Sequence, residues 1–119
     1  AERLYTGEFF DAIKRVLSPR GAVTLHIGSP IFKPETVTRL VRLLRERFRH
    51  VRPMGNYVPL YGSYWGMAMA SDALDPLELA PAEVDSRIRS SGLEALSFYN
   101  GDTHRALFAL PNYYRRLLD

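Results

Sequence analysis

Apolar residues follow two spacings along the chain, one helical and one compact and strand-like, and the switches between them mark out short elements. Phe9, Phe10, Ile13, Val16 and Leu17 recur at helical spacing. Thr6 is placed to cap that helix, and Glu8 suits its electropositive first turn. Ser18-Pro19-Arg20-Gly21 stops it. Ala22 to Ile27 (AVTLHI) then reads as a short, mostly apolar strand, ended by Gly28-Ser29-Pro30. A second helix starts near Pro34, a residue suited to the first helical position. Val37, Leu40, Val41, Leu44 and Phe48 form its buried stripe, and its arginines fall largely on the wet face.

His50 to Leu60 reads as extended, and its prolines, Pro53 and Pro59, predict an edge strand or strand ends. Tyr64 to Ser71 is a compact apolar strand, joined to it through a turn at Tyr61-Gly62-Ser63 as a hairpin. Asp72 to Pro81 is a loop that docks Leu74, Leu77 and Leu79. Ala82 to Ser91 is a short helix with Val84 and Ile88 inward and Gly92 as its stop. Leu96 to Tyr99 is a short extended piece. Asp102 then caps a helix from Thr103 to Leu110, Pro111 interrupts, and Asn112 to Leu118 adds a last turn or two. No repeat, low-complexity tract or internal boundary divides the chain. The order helix, strand, helix, strand, strand, small helices is the later half of an open α/β sheet of about three strands with helices on its faces. So thin a sheet predicts that something is missing on the N-terminal side, and that residues 1–119 form a single partial domain.

The 119 residues suffice for one domain. The absence of cysteine excludes disulfides and thiolate metal sites and suits a reducing compartment, so the expected location is cytoplasmic. No apolar run approaches the roughly 18–20 residues of a membrane span. The start, Ala1 to Tyr5, has no signal-peptide layout and no initiator Met, which predicts a chain that begins mid-protein. The net charge of +3 is unevenly spread. Ile31 to Pro53 holds seven basic and two acidic residues, and Asp72 to Glu94 holds six acidic and two basic ones. Solvated faces, an anion-binding face and self-association of opposite patches are all compatible with that division.

Several chemistries lack their residues. No GxGxxG or GxxxxGK[ST] loop occurs. Gly28-Ser29-Pro30 lies between a strand and a helix, but Pro30 has no N–H and the helix starts later, which argues against phosphate binding. His26, His50 and His104 lie far apart without paired carboxylates, so no metal site is expected. Ser29 and Ser63 lack the GxSxG frame of a nucleophile. The basic helix with Arg39, Arg42, Arg45, Arg47 and Arg49 could face nucleic acid, but aromatics are not interleaved with it. The strongest signal is the group Tyr57, Tyr61, Tyr64 and Trp65 beside small polar residues at a strand turn. It suits an apolar ligand or a cation on a ring face, and equally the core of a hairpin. His26 falls at the carboxyl end of a strand, where open α/β sheets place ligands, though a buried histidine bonded to backbone fits the same position.

Four segments, in order, resemble the C-terminal half of the polyamine aminopropyltransferases, the spermidine synthase family. They are Leu4-Tyr5-Thr6-Gly7-Glu8-Phe9-Phe10 with Ile13 to Leu17; Pro34-Glu35-Thr36 with Leu40-Val41 and Phe48 to Pro53; Val58-Pro59-Leu60-Tyr61-Gly62 with Trp65-Gly66; and His104-Arg105-Ala106 with Phe108 to Pro111. The resemblance implies a Rossmann-like, class I methyltransferase-like core ending in an antiparallel strand. It implies transfer of an aminopropyl group from decarboxylated S-adenosylmethionine, the co-substrate, to putrescine or a related polyamine. It places Tyr61 in the "P-T-Y" segment that lines the amine pocket, with Trp65 just after it. His26 stands where many members have an amine-contacting glutamine, and Leu60 where threonine is common. The glycine-rich cofactor loop, the ribose-binding acid and the catalytic aspartate of the D-x-x-D-P loop all belong upstream of residue 1. The chain is therefore expected to hold no catalytic, cofactor-binding or metal-ligating residue, to be inactive alone, and to partner its N-terminal portion and, as a homo-oligomer, itself. Two rival readings remain: a non-catalytic polyamine-binding or dimerisation module, and a basic nucleic-acid-binding module.

Overall fold

Thr6 caps the first helix as its position predicts: its hydroxyl accepts the Phe9 backbone N–H at 3.2 Å. The structure, a computed structural model, describes residues 4–93 and 95–119. Ala1 to Arg3 of the start and Glu94 of the acidic stretch lie outside the described residues. Helix α1 spans Gly7–Val16, strand β1 Ala22–Gly28, and helix α2 Pro34–Arg45. Strands β2 (His50–Val58) and β3 (Ser63–Ser71) form the hairpin, joined by a 3-10 turn at Pro59–Tyr61. Helices α3 (Pro81–Ser90), α4 (Gly101–Leu107) and α5 (Asn112–Arg115) follow.

The strand order is β1-β3-β2, and both outer strands run antiparallel to β3. Strands β1 and β2 therefore run in the same direction with β3 inserted between them. Pro53 lies on an outer strand, where a missing N–H is tolerated. One sheet face carries Leu25, Ile27, Val51, Ala68 and Ala70, and it packs against Phe10, the α2 stripe, Phe48 and Tyr114. Full burial of each large apolar side chain contributes about 1.5–3 kcal/mol. The alanines on the middle strand leave room for the larger α2 residues. Phe48 joins this core although α2 ends before it.

Several expectations are corrected. Val16 is 82% exposed, because six residues after Phe10 place it about 120° around the helix from the core. Leu77 projects to solvent from a 3-10 turn, while Leu74 and Leu79 are half-buried. Leu96 to Tyr99 bends and forms no strand. Asn100, not Asp102, caps α4: its side chain accepts the Thr103 N–H at 2.8 Å, and the Thr103 hydroxyl accepts the Asn100 N–H at 2.8 Å. That reciprocal pair satisfies two helix-end donors, which Asp102 inside the helix does not.

The basic and acidic stretches meet within the chain. Arg52 grips Asp75 through two bonds of 2.9 and 2.6 Å, and Asp75 also accepts the Leu77 N–H. Asp72 accepts the Arg49 N–H and lies 3.3 Å from the Lys14 ammonium. The Arg52 bond holds the Asp75 carboxyl below its ordinary 3.8, which outweighs its desolvation. A carboxyl lowered in the folded state stabilises above its unfolded pKa, and that contribution fades as pH falls toward the folded value. Because Arg52 is partly exposed, Asp75→Asn is expected to cost about 1.5 kcal/mol at pH 7, the low end for a charged hydrogen bond. Urea midpoints of the two proteins should converge as pH is lowered below 3.8, and a gap that does not narrow would count against the pairing.

Candidate functional site

Strand β1 ends in an irregularity that aims its last residues. Pairing with β3 is regular from Ala22↔Ser71 to His26↔Met67 and shifts before Gly28↔Gly66. Gly28 adopts φ +102°, a conformation that side chains resist, and the chain turns off the sheet there. The buried Ser29 hydroxyl accepts the N–H groups of Ile31 and Phe32 at 3.2 and 3.0 Å and lies 3.2 Å from the Ser63 hydroxyl. The loop after β1 is thereby pinned to the first residue of β3. These amides are consumed inside the loop, in keeping with the argument against a phosphate site. Ser29→Ala strands both N–H groups and is expected to cost about 1–2 kcal/mol in a urea melt; an unchanged midpoint would show that water replaces the hydroxyl.

Across the sheet, Gly66 lets the two strands approach: a Cβ there would lie 2.7 Å from the Gly28 carbonyl oxygen. Met67 sits opposite His26, so Trp65 is its diagonal neighbour on the same face. The Trp65 indole N–H donates to His26 Nδ1 at 2.8 Å. Tyr61, on the 3-10 turn, packs on Trp65 with ring centroids 4.4 Å apart and planes tilted by 40°. His26 stands edge-on to both rings, at 6.4 and 6.3 Å. Together they line a cleft of about 370 Å³, with Tyr5, Thr36 and Arg39 on its other walls. Arg39 donates to the Tyr5 carbonyl at 2.9 Å. No carboxylate lines the cleft among the described residues. The surface can stack a flat or cationic group but offers no anionic counter-charge of its own.

The three residues singled out from the sequence thus converge. His26 is exposed and bonded to a side chain, so the alternative of a buried, backbone-bonded histidine does not hold. The aromatic group divides: Tyr64 faces the core and packs against Tyr114 at 6.1 Å, while Tyr61 is 46% exposed at the cleft. Burial raises the Tyr64 phenol pKa. Tyr5 and Arg39 also line the cleft, and local sequence pattern does not mark either as a site residue. Tyr5 was legible only as part of the opening motif, and Arg39 only as a wet-face arginine, because helical periodicity reports distance from the core and not proximity to a strand end. His104 is elsewhere and satisfied, its ring nitrogens 2.7 Å from the Tyr99 hydroxyl and 2.8 Å from the Pro76 carbonyl. Among the described residues no group of three potential ligands could hold a metal. Within the basic stretch, Arg39, Arg45 and Arg47 are engaged with Tyr5, Leu118 and Asp11, which weakens the case for a nucleic-acid face.

A family model described as the spermine/spermidine synthase domain matches residues 1–78. The chain belongs to this family. It is 49% identical over 115 residues to a polyamine aminopropyltransferase of Nitrosomonas europaea, covering 97% of this chain and 35% of that protein. It is 41% identical over 118 residues to polyamine aminopropyltransferase 2 of Hyperthermus butylicus, covering 99% of this chain and 39% of the relative. A crystal structure of spermidine synthase in complex with the transition-state analogue AdoDATO matches 99% of this chain with a TM-score of 0.86 at 25% identity, over 39% of its own length. Spermidine synthase from Thermotoga maritima matches with a TM-score of 0.85 at the same identity. The Rossmann-like α/β architecture expected from the sequence is the one shared with these spermidine synthases. The chain spans between 35% and 39% of the relatives' length. No helix among the described residues is long and apolar enough to cross a membrane.

Proposed function

We propose that this chain supplies the amine-side wall of the active cleft of a polyamine aminopropyltransferase. The observation that carries the reading is the aromatic pair Tyr61 and Trp65, stacked at the carboxyl end of the sheet and facing a cleft. Ring faces attract an alkylammonium, and the hydrocarbon chain between two ammonium groups packs on the same faces. In the reaction, the neutral nitrogen of putrescine or a related polyamine attacks the carbon beside the sulfonium of decarboxylated S-adenosylmethionine. The carbon–sulfur bond breaks, methylthioadenosine leaves with the electron pair on sulfur, and a base takes the proton of the new ammonium. The cleft wall described above holds no carboxylate. The acid that anchors the amine, the base, and the groups that hold the sulfonium substrate are assigned to the part of such enzymes that this chain does not match. Here the wall's role is orientation, which sets the nitrogen at the reacting carbon.

The test is aminopropyl transfer, read as methylthioadenosine released from putrescine and decarboxylated S-adenosylmethionine. The chain alone is expected to give no product. A chimera that joins it to the remaining portion of the Nitrosomonas europaea relative, whose matched segment is 49% identical, is expected to turn over. A folded but inactive chimera would remove the proposal, and turnover by the chain alone would show that it builds the rest of the site itself.

A further inference from the structure

The hydrogen bond between Trp65 and His26 has a fixed direction. An indole N–H can only donate, so His26 Nδ1 must accept. A neutral imidazole has one lone pair and one N–H. With the lone pair committed to Trp65, the proton resides on Nε2, for which no hydrogen bond exists among the described residues. The His26 side chain is exposed and lines the cleft. His26 therefore meets a ligand as a hydrogen-bond donor. An ammonium is likewise only a donor, so the two groups cannot bond. What this corner leaves for a cation are the ring faces of Tyr61 and Trp65, whose attraction for charge does not depend on N–H groups.

We propose that Trp65 is a positioning residue that locks His26 as the Nε2–H tautomer, and that an alkylammonium is held at this corner by ring faces alone. The second half of the proposal rests on the amine-cleft reading. It makes the corner tolerant of N-methylation, which removes the donors of an ammonium but not its charge.

Two measurements on the full chain test it. The first is the nitrogen-15 spectrum of labelled histidine at alkaline pH, where imidazoles are neutral. His26 is expected to show an unprotonated Nδ1 and a protonated Nε2. In Trp65→Phe a population with the proton on Nδ1 should emerge, and in His26→Phe the Trp65 indole proton should move upfield. A proton on Nδ1 in the unmodified chain overturns the lock, and an unchanged tautomer in Trp65→Phe overturns the part given to Trp65. The second is titration with 1,4-diaminobutane and with its N,N,N-trimethyl derivative, followed at the Tyr61, Trp65 and His26 signals. The two affinities are expected within about threefold of each other, and a loss of about tenfold or more on methylation overturns recognition by ring faces. If neither ligand moves those signals while the tautomer stays locked, retention of the cation by ring faces alone is overturned and the positioning role of Trp65 stands.

Discussion

Tyr114→Ala is expected to lower the unfolding free energy by about 3–5 kcal/mol, the cost of removing a large buried aromatic and leaving its cavity. Small domains have about 5–15 kcal/mol in all, so this one change takes a large share of the total. The Tyr114 ring is fully buried and joins the short C-terminal helix to the core formed by α1, α2 and the sheet. Its hydroxyl donates to the Met54 carbonyl at 3.0 Å and lies 3.5 Å from that of Met67. Those two carbonyls belong to cross-strand partners of β2 and β3. Gly66 makes the approach possible, since a Cβ there would lie 3.0 Å from the hydroxyl. Burial pushes the phenol pKa far up, so the ring stays neutral through the physiological range. Tyr114→Phe keeps the packing and loses the hydroxyl contacts, at about 1 kcal/mol. Urea denaturation of both variants separates the two contributions. Equal midpoints would place the stabilisation in the hydrogen bonds and not in the packed ring.

In the active chimera, Tyr61→Ala is expected to lower kcat/KM for putrescine by about 30-fold, the equivalent of about 2 kcal/mol for a desolvated cation–π contact. Methylthioadenosine binding, followed as product inhibition, should be unchanged, because the residue faces the amine side of the cleft in the proposed reading. Tyr61 is a suitable probe for a local reason. It sits on the 3-10 turn between β2 and β3, is 46% exposed, and packs on Trp65 without entering the core. Its removal should therefore spare the fold, in contrast to Tyr114. Unchanged amine kinetics would remove Tyr61 from the site, and equal losses for both substrates would point to collapse of the hairpin tip.

The contrast between neighbouring tyrosines marks the boundary of what local pattern conveys. Tyr61, Tyr64 and Trp65 fall within five residues, and composition treats them alike. The pleat separates them: Trp65 shares a face with His26 and Met67, while Tyr64 turns to the other face and meets Tyr114. The parity of the register makes that choice, and it depends on which strand β3 joins. The bond between Trp65 and His26 spans 39 positions and exists only because β3 pairs with β1 as well as with β2. An irregular step after His26 adds to this, and nothing in AVTLHIG announces it.

The sequence by itself determined the helical stripe of α2, the Thr6 cap, the hairpin, and the restriction of Pro53 to an edge strand or a strand end. Each of these depends on the periodicity of one segment, on its cap, or on a proline's missing N–H. Its motifs also determined the family, later matched over residues 1–78. Only the tertiary structure decided that β3 lies between β1 and β2, that the acidic loop closes on Arg52, and that Tyr5 and Arg39 wall the cleft. Local spacing records which face of an element avoids water. Which elements share that face is settled by packing across the whole chain, and the cleft is a product of that packing.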